Sequence, residues 1–110
     1  MASPKKAASS KRTNPPRASD YAKQFLKDWK RLTHSGRHNM RQLKEGMLLL
    51  IANDGPLAEE WLDHELTGEW SDHRECHIGG DFLLIYRGDG VGPKASVIFV
   101  RAGTHAELFK

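Results

Sequence analysis

The hydrophobic positions of the chain follow one period in its first half and another in its second half. Between residues 21 and 53, apolar side chains recur every three or four positions, which is typical of amphipathic helices. From about Gly68 onward, they cluster in short runs of β-branched and aromatic residues. The pattern therefore predicts helices followed by strands.

The first helix is predicted to begin at Ser19 or Asp20, because either side chain can cap a helix N-terminus. Its apolar positions are Tyr21, Phe25, Leu26, Trp29 and Leu32. The segment "HSGRHN" contains a glycine and interrupts the helical pattern. We therefore expect the first helix to end there.

A second helix is predicted from about Met40 to Asn53. Its apolar face consists of Leu43, Met47, Leu50 and Ile51. The turn-forming sequence Asn-Asp-Gly-Pro at positions 53–56 would end it. Two helices joined by a short loop form an antiparallel hairpin.

Three strand-length runs follow in the second half of the chain. They read "EWSDHRECHI", "FLLIYR" and "ASVIFVR", and they are separated by Gly79-Gly80 and by the glycine-rich segment 88–93. This spacing is consistent with an antiparallel three-stranded meander. A helix hairpin followed by a meander predicts an α+β fold in which the hairpin covers one sheet face.

Charge is unevenly distributed, although the 110-residue chain carries only +3 in total. Residues 1–17 contain five Lys or Arg residues and no acid, whereas the remainder contains 12 basic and 14 acidic residues. We interpret residues 1–17 as a disordered basic arm. The simpler interpretation is a solvated extension, and the alternative is an arm that contacts phosphates. Residues 18–110 form the single predicted domain, whose total charge supplies no general attraction for nucleic acid.

The remaining composition indicates a soluble cytoplasmic protein. The only cysteine, Cys76, cannot form an internal disulfide and suits a reducing compartment. The longest apolar run, residues 47–52, is far shorter than the roughly 20 residues of a membrane span. No apolar segment follows Lys5 and Lys6, so the N-terminus does not read as a secretory signal.

Candidate chemistry concentrates in the strand half, which holds four of the six histidines in or around it. His77 and Asp81 flank the Gly-Gly turn, Arg101 ends the last predicted strand, and His105 follows just beyond. Each residue alone has an ordinary structural explanation, such as a turn, a cap or a surface position. Sheet topology could nevertheless bring the four to one end of the sheet.

The sequence does not favour a zinc site. Strand alternation sends His73 and His77 to one face and Cys76 to the other, and no second cysteine completes a zinc-type set. Cys76 is therefore predicted to be a buried small residue, and His73 a residue that faces solvent or a bound substrate. Trp29 and Trp70 are assigned to the core.

The residues of the strand half follow a longer sequence motif. Their order and spacing are far more specific than any one residue of it. The pattern "DHxLxGxW…RxxHI…DxLLIY…RxGTHxxLF" resembles the YafQ branch of the RelE/ParE superfamily of bacterial toxins over about residues 18–110. It is carried by Asp63, His64, Leu66, Gly68, Trp70, Arg74, His77, Ile78, Asp81, Leu83 to Tyr86, Arg101, Gly103 to His105, Leu108 and Phe109.

The resemblance implies a ribosome-dependent mRNA endonuclease that needs no metal or other cofactor. It also implies a cognate antitoxin, usually DNA-binding and encoded next door, besides the ribosome and mRNA as partners. The implied RelE-like fold is a small, mainly antiparallel sheet of three to four strands with a helix hairpin on one side. The exposed Lys and Arg positions of that hairpin could contact either the ribosome or the antitoxin.

Carried over by matched position, the family's active-site residues fall on His64, His77, Asp81 and His105. Phe109 would pack beside a base, and Arg101 is the nearest candidate for the scissile phosphate. Cleavage of RNA by its own 2′-OH needs a base, an acid and positive charge, which His, Asp and Arg can supply. Which of the four site residues is the base remains open from the sequence.

Three features depart from the family pattern. Relatives usually begin with a strand, but Pro15-Pro16 suit a central strand poorly, so the strand is predicted to be a short edge strand or absent. Gly79-Gly80 stand where relatives often carry a proline, which predicts a looser turn. The basic arm is an addition. The alternative function is that of a ParE-like toxin that inhibits DNA gyrase, but such toxins lack the histidine set.

Overall fold

The computed structural model describes residues 17–52, 57–90 and 95–109. Residues 1–16 of the predicted basic arm lie outside this range. Arg17 lies inside it, where its backbone N–H donates to the carbonyl of Ile51 and its Nε to the carbonyl of Leu50. The last residue of the arm is thus hydrogen-bonded to the second helix.

Helices and strands succeed one another in the order β1, α1, α2, β2, β3, β4, β5 and α3. Their bounds are Ala18–Tyr21 for β1, Lys23–Ser35 for α1, Met40–Ala52 for α2, His64–Glu65 for β2, Arg74–Gly79 for β3, Phe82–Asp89 for β4, Ser96–Thr104 for β5 and His105–Leu108 for α3. Short 3₁₀ turns at Glu59–Trp61 and Gly68–Trp70 flank β2.

The five strands form one mixed sheet in the order β1-β5-β4-β3-β2. The predicted antiparallel meander is confirmed as β3-β4-β5. The expected three to four strands were an undercount, because the two-residue β2 and the edge strand β1 both join the sheet. β1 pairs in parallel with the first half of β5, so the short edge strand left open by the sequence is present.

The predicted helix caps at Ser19 and Asp20 are wrong, because both residues lie in β1. The N-cap of α1 is Ala22, whose side chain offers no hydrogen bond. Local sequence favoured a cap, but the unpaired backbone edge of β5 recruits these residues into a ladder instead. α2 ends at Ala52, and the predicted last residue, Asn53, lies outside the described range.

The helix hairpin packs on one face of the sheet and encloses the main core, as predicted. Phe25 and Leu32 from α1 and Leu43 and Leu50 from α2 are fully buried there against Leu84, Tyr86, Val97 and Phe99. Cys76 is also fully buried on this side, as expected. Leu26 was assigned to the apolar face but is 53% exposed.

The tryptophans divide differently from the prediction. Trp29 and Trp70 are only partly buried, each packed against a core cluster. Trp61 is the fully buried tryptophan, and it lies beside Gly46 of α2. A Cβ at Gly46 would approach the Trp61 ring to 3.1 Å, so glycine allows this close contact.

A second, smaller core lies on the opposite sheet face. Leu83 and Ile85 of β4 pack there against Leu108 of α3, with Leu66, Trp70 and Val100 around them. In the described part of the chain the helix hairpin does not cover this face, and the side chains around the small core are partly exposed. Within the part of the chain that the structure describes, no helix is both long and apolar enough to cross a membrane.

Candidate active site

Strand register places the first histidines on the sheet face opposite the hairpin. His64 of β2 lies directly across from Glu75 of β3. His77 lies two residues further along β3, hence on the same face as Glu75. On β4, Glu75 pairs with Ile85 and His77 pairs with Leu83, and both partners belong to the second core. The strands thus bring His64, Glu75 and His77 together beside that small apolar cluster.

Glu75 lies between the two imidazole rings. Its Oε2 lies 3.4 Å from Nε2 of His64 and 3.6 Å from Nε2 of His77. The Glu75 side chain is only 4% exposed, whereas that of His64 is 51% exposed and that of His77 is 24% exposed. The carboxylate is therefore buried beneath two rings that reach the surface.

The other nitrogen of each ring faces a backbone carbonyl. Nδ1 of His64 lies 2.8 Å from the carbonyl oxygen of Leu62, and Nδ1 of His77 lies 3.3 Å from that of Gly80. A carbonyl oxygen only accepts hydrogen bonds, so both Nδ1 atoms carry the proton in these contacts.

This tautomer has a direct consequence for Glu75. In a neutral ring protonated at Nδ1, the Nε2 atom carries a lone pair that would face the Glu75 oxygen. A favourable contact needs an additional proton, either on one Nε2 or on the carboxyl group itself. Glu75, His64 and His77 thus form one contiguous group in which the carboxylate lies against the Nε2 atoms of both rings.

Asp81 and His105 form a separate pair at the end of the β4–β5 ladder. Phe82 and Thr104 are the last paired residues, so Asp81 and His105 are the next positions on each side. Oδ1 of Asp81 accepts hydrogen bonds from Nδ1 of His105 at 2.7 Å and from its backbone N–H at 3.3 Å. These bonds from His105 lower the pKa of Asp81 below its usual range.

The hydrogen bond at Nδ1 also fixes the orientation of the His105 ring. Because Nδ1 donates to Asp81, Nε2 is the atom left to exchange a proton with another molecule. The His105 side chain is 54% exposed, so that atom is within reach of a substrate.

The short helix α3 positions His105 through a capping box. The side chain of Thr104 accepts from the N–H of Glu107, while the Glu107 carboxylate accepts from the N–H of Thr104. Arg31 of α1 donates to the same Glu107 oxygen. Gly103 keeps this space open, since a Cβ there would lie 2.6 Å from Glu107 Oε1.

The three histidines and Phe109 form a continuous row of rings. Ring centroids are separated by 6.2 Å between His64 and His77, by 6.3 Å between His77 and His105, and by 5.6 Å between His105 and Phe109. All four residues matched as catalytic thus lie on one surface, with Phe109, 37% exposed, beside His105. Their catalytic roles remain predictions.

Arg101 has a different partner from the one expected. Its Nε and Nη2 donate to Asp28 of α1 at 2.7 and 3.1 Å, and Asp28 also accepts from the N–H of Ala102 at 3.0 Å. The Asp28 side chain is only 1% exposed, so the guanidinium compensates a buried charge. A phosphate contact by Arg101 stays a prediction, and this geometry does not favour it.

Glu75 and Asp28 were not predicted from the sequence, although the sequence pattern contains an indication of each. Glu75 alternates with His77 in "RECHI" and so had to share its face. Asp28 stands between Phe25 and Leu32 on the apolar face of α1, where an acid needs a partner.

Among residues 17–52, 57–90 and 95–109, no group of three or more His, Cys, Asp or Glu side chains is arranged to hold a metal ion. Burial raises the pKa of the Cys76 thiol, which disfavours the thiolate that a metal would need. Cys76 also packs in the main core, on the sheet face opposite His77.

Comparison with known proteins identifies close relatives. The family described as the bacterial toxin of type II toxin–antitoxin system, YafQ, matches residues 17–110. The mRNA interferase toxin YafQ of Escherichia coli is 40% identical over 90 residues, covering 82% of this chain and 92% of the relative.

Solved structures agree with this match. The crystal structure of the Escherichia coli DinJ–YafQ toxin–antitoxin complex contains a chain with a TM-score of 0.72 and 39% identity, covering 86% of this chain and 99% of that one. A metal-bound toxin from Helicobacter pylori has a TM-score of 0.71 at 35% identity, covering 84% of this chain and 99% of that chain. The family match and the shared fold show that the chain belongs to the YafQ family of toxins of type II toxin–antitoxin systems.

Proposed function

We propose that this toxin is an endoribonuclease, an mRNA interferase that cleaves messenger RNA on the ribosome and so inhibits translation. The observation that carries the proposal is the convergence of His64, His77 and His105 with two carboxylates on the uncovered sheet face. Histidine is the side chain best suited to proton transfer near neutral pH.

The proposed reaction is a transesterification within the RNA. The 2′-oxygen attacks the adjacent phosphorus and gives its proton to a base, while the bond from phosphorus to the 5′-oxygen breaks. The leaving 5′-oxygen takes a proton from an acid, so the products are a 2′,3′-cyclic phosphate and a 5′-hydroxyl. This chemistry requires two proton-transfer groups on opposite sides of the phosphorus.

Two parts of the site are candidates for these roles, and they have different surroundings. His105 is held by Asp81 and presents Nε2 outward. His64 and His77 lie with their Nε2 atoms 3.4 and 3.6 Å from the buried Glu75 carboxylate, so this unit is the second candidate for proton transfer. The proposed chemistry needs no metal, because side chains of this row carry out the proton transfers.

Two features of the proposed function concern partners. The solved relative from Escherichia coli is found in complex with the antitoxin DinJ. We infer that this chain likewise has a cognate antitoxin, encoded next door and DNA-binding, and that ribosome-bound mRNA is its substrate. Gyrase inhibition is the weaker candidate, because it would leave the histidine row without a purpose.

The test uses the purified full-length chain with translating ribosomes, and the sites of mRNA cleavage are mapped by primer extension. We expect the wild type to cleave mRNA and the His105→Ala variant to lose this cleavage. His34→Ala is the matched control, since His34 is an exposed histidine on α1. Intact mRNA together with inhibited gyrase supercoiling would contradict the proposal.

A modified substrate separates the acid from the base. An RNA with sulfur in place of the leaving 5′-oxygen needs no proton on its leaving group. A variant that lacks the acid should therefore cleave the sulfur-containing RNA at close to the wild-type rate. A variant that lacks the base should stay impaired on both substrates. The comparison of His105→Ala with His77→Ala assigns the two roles.

A further inference from the structure

The row of rings continues beyond Phe109. Trp70 lies 6.1 Å from Phe109, with its ring nearly perpendicular at 75°, and His73 lies 5.3 Å from Trp70 at 88°. Trp70 and His73 are both partly exposed. Six rings thus form one path across the uncovered sheet face, of which the proposed cleavage reaction uses only the His64 to Phe109 part.

The segment that holds the two additional rings is well ordered by hydrogen bonds. The backbone N–H of Trp70 donates to Thr67 at 3.2 Å, and that of His73 donates to Trp70 at 3.1 Å. The carbonyl of His73 accepts from the N–H of Leu66 at 2.9 Å, beside β2. Trp70 also rests on the second core, so its ring is held in place before any ligand binds.

The charges of this segment indicate which part of RNA it would contact. Residues 66–73 contain no Lys or Arg, whereas Glu69 and Asp72 are both exposed there. Carboxylates repel phosphates, so the sugar–phosphate backbone would run elsewhere. Neutral aromatic bases are compatible with this surface, and single-stranded RNA binds proteins largely by stacking its bases on aromatic side chains.

His73 adds a directional group. Its Nδ1 lies 3.1 Å from the carbonyl of Ser71 and therefore donates there. In the neutral ring, Nε2 is then an acceptor that can bind an amino group of adenine, cytosine or guanine. Uracil carries a carbonyl oxygen where cytosine carries its amino group, so an Nε2 acceptor that faces this position would discriminate against uracil.

We propose that Trp70 and His73, together with Phe109, form a binding site for an RNA base next to the cleaved phosphodiester, and that this site contributes to the choice of cleavage sequence. The inference rests on the proposed endoribonuclease function. It gives Trp70 a role in addition to the core role expected of it.

The test measures cleavage-site preference on ribosomes programmed with a library of codons. Trp70→Leu keeps apolar contact with the second core but removes the aromatic face. We expect this variant to lose selectivity at one nucleotide position by roughly fivefold or more, the lower end of a base-stacking contribution. Other positions should keep the wild-type preference. His73→Ala should weaken discrimination against uracil at that same position.

Trp29→Leu serves as the control, because Trp29 is a partly buried tryptophan packed against the helix-side core. It should leave the preference unchanged. If Trp70→Leu slows cleavage equally at all codons, or leaves every preference intact, the proposed base site is wrong. Should Trp70→Leu fail to fold, His73→Ala decides, since His73 belongs to neither core cluster. Absence of cleavage by the wild type would instead refute the proposed function.

Discussion

Two buried carboxylates on opposite sides of this sheet have very different partners. Asp28, on the helix side, accepts three hydrogen bonds from Arg101 and Ala102 at 2.7 to 3.1 Å, and a fourth, longer one from Arg31 at 3.4 Å. Glu75, on the opposite side, faces two imidazole nitrogens among the described residues, at 3.4 and 3.6 Å. Burial is nearly equal, with side chains 1% and 4% exposed.

The different partners indicate different roles, with Asp28 stabilising the fold and Glu75 belonging to the candidate active site. A buried charge stabilises a fold only when nearby donors compensate its lost hydration, as they do for Asp28. Glu75 has fewer and longer contacts than Asp28, so we expect it to contribute less to stability and to act on the placement of the two rings above it. Such sites are retained at the expense of stability when activity depends on them.

The largest effect on stability is expected for Asp28→Asn. The substitution removes the charge that holds Arg101 and Ala102, and breaking a buried ion pair typically costs about 3–5 kcal/mol. Urea denaturation should show a lower midpoint with an unchanged slope. Asp89→Asn, at an exposed position on β4, is the matched control and should be neutral. Equal midpoints for both variants would contradict the structural role of Asp28.

Unlike Asp28→Asn, the Glu75→Gln substitution should reduce activity and leave stability nearly unchanged. Gln has nearly the same shape but no charge, so stability is expected to stay constant or to rise by up to about 1 kcal/mol. Cleavage should fall by roughly 10- to 100-fold, because the two rings lose the carboxylate that lies against them and with it their fixed orientation. Histidine side-chain ¹⁵N spectra should change for His64 and His77, with His105 unchanged.

The control for Glu75→Gln is Glu65→Gln, which removes an exposed acid from β2. It should change neither the spectra nor the rate. If Glu75→Gln destabilises the protein as strongly as Asp28→Asn, the two carboxylates do not differ as proposed. Full activity with unchanged histidine spectra would remove Glu75 from the mechanism.

Gly103→Ala tests the placement of His105 without touching either carboxylate. The new Cβ would lie 2.6 Å from Glu107 Oε1 and would open the capping box at Thr104. Loss of a cap costs about 1 kcal/mol, and overpacking adds a further 1–3 kcal/mol. Activity should fall more than stability, because His105 begins the displaced turn. Single-turnover cleavage together with thermal unfolding measures both effects.

The helix hairpin and the meander could be predicted from local patterns, because the spacing of apolar residues reflects which face of each helix or strand is buried. These patterns failed at Ser19 and Asp20, because the β5 edge that recruits those residues comes from the far end of the chain. The resemblance supplied His64, His77, Asp81 and His105. The roles of Asp28 and Glu75 required knowledge of which side chains face them across the sheet. Sequence spacing alone does not provide that information.

The smallest expected effect concerns Asp81, the third carboxylate of this comparison, which is exposed and paired with one ring. Hydrogen bonds from His105 lower its pKa below the ordinary value of about 4. A lowered folded-state pKa stabilises the native protein above the unfolded value, and this contribution disappears as the pH falls through the folded value.

Thermal unfolding of the wild type and of Asp81→Asn, followed from pH 6 down to about pH 2, should therefore give a small constant difference above about pH 4. The two curves should converge at lower pH. Because solvent screens an exposed pair, the difference in midpoint should be much smaller than that caused by Asp28→Asn. A gap that widens as the pH falls would mean that the Asp81–His105 bond does not stabilise the folded state as an ionised pair.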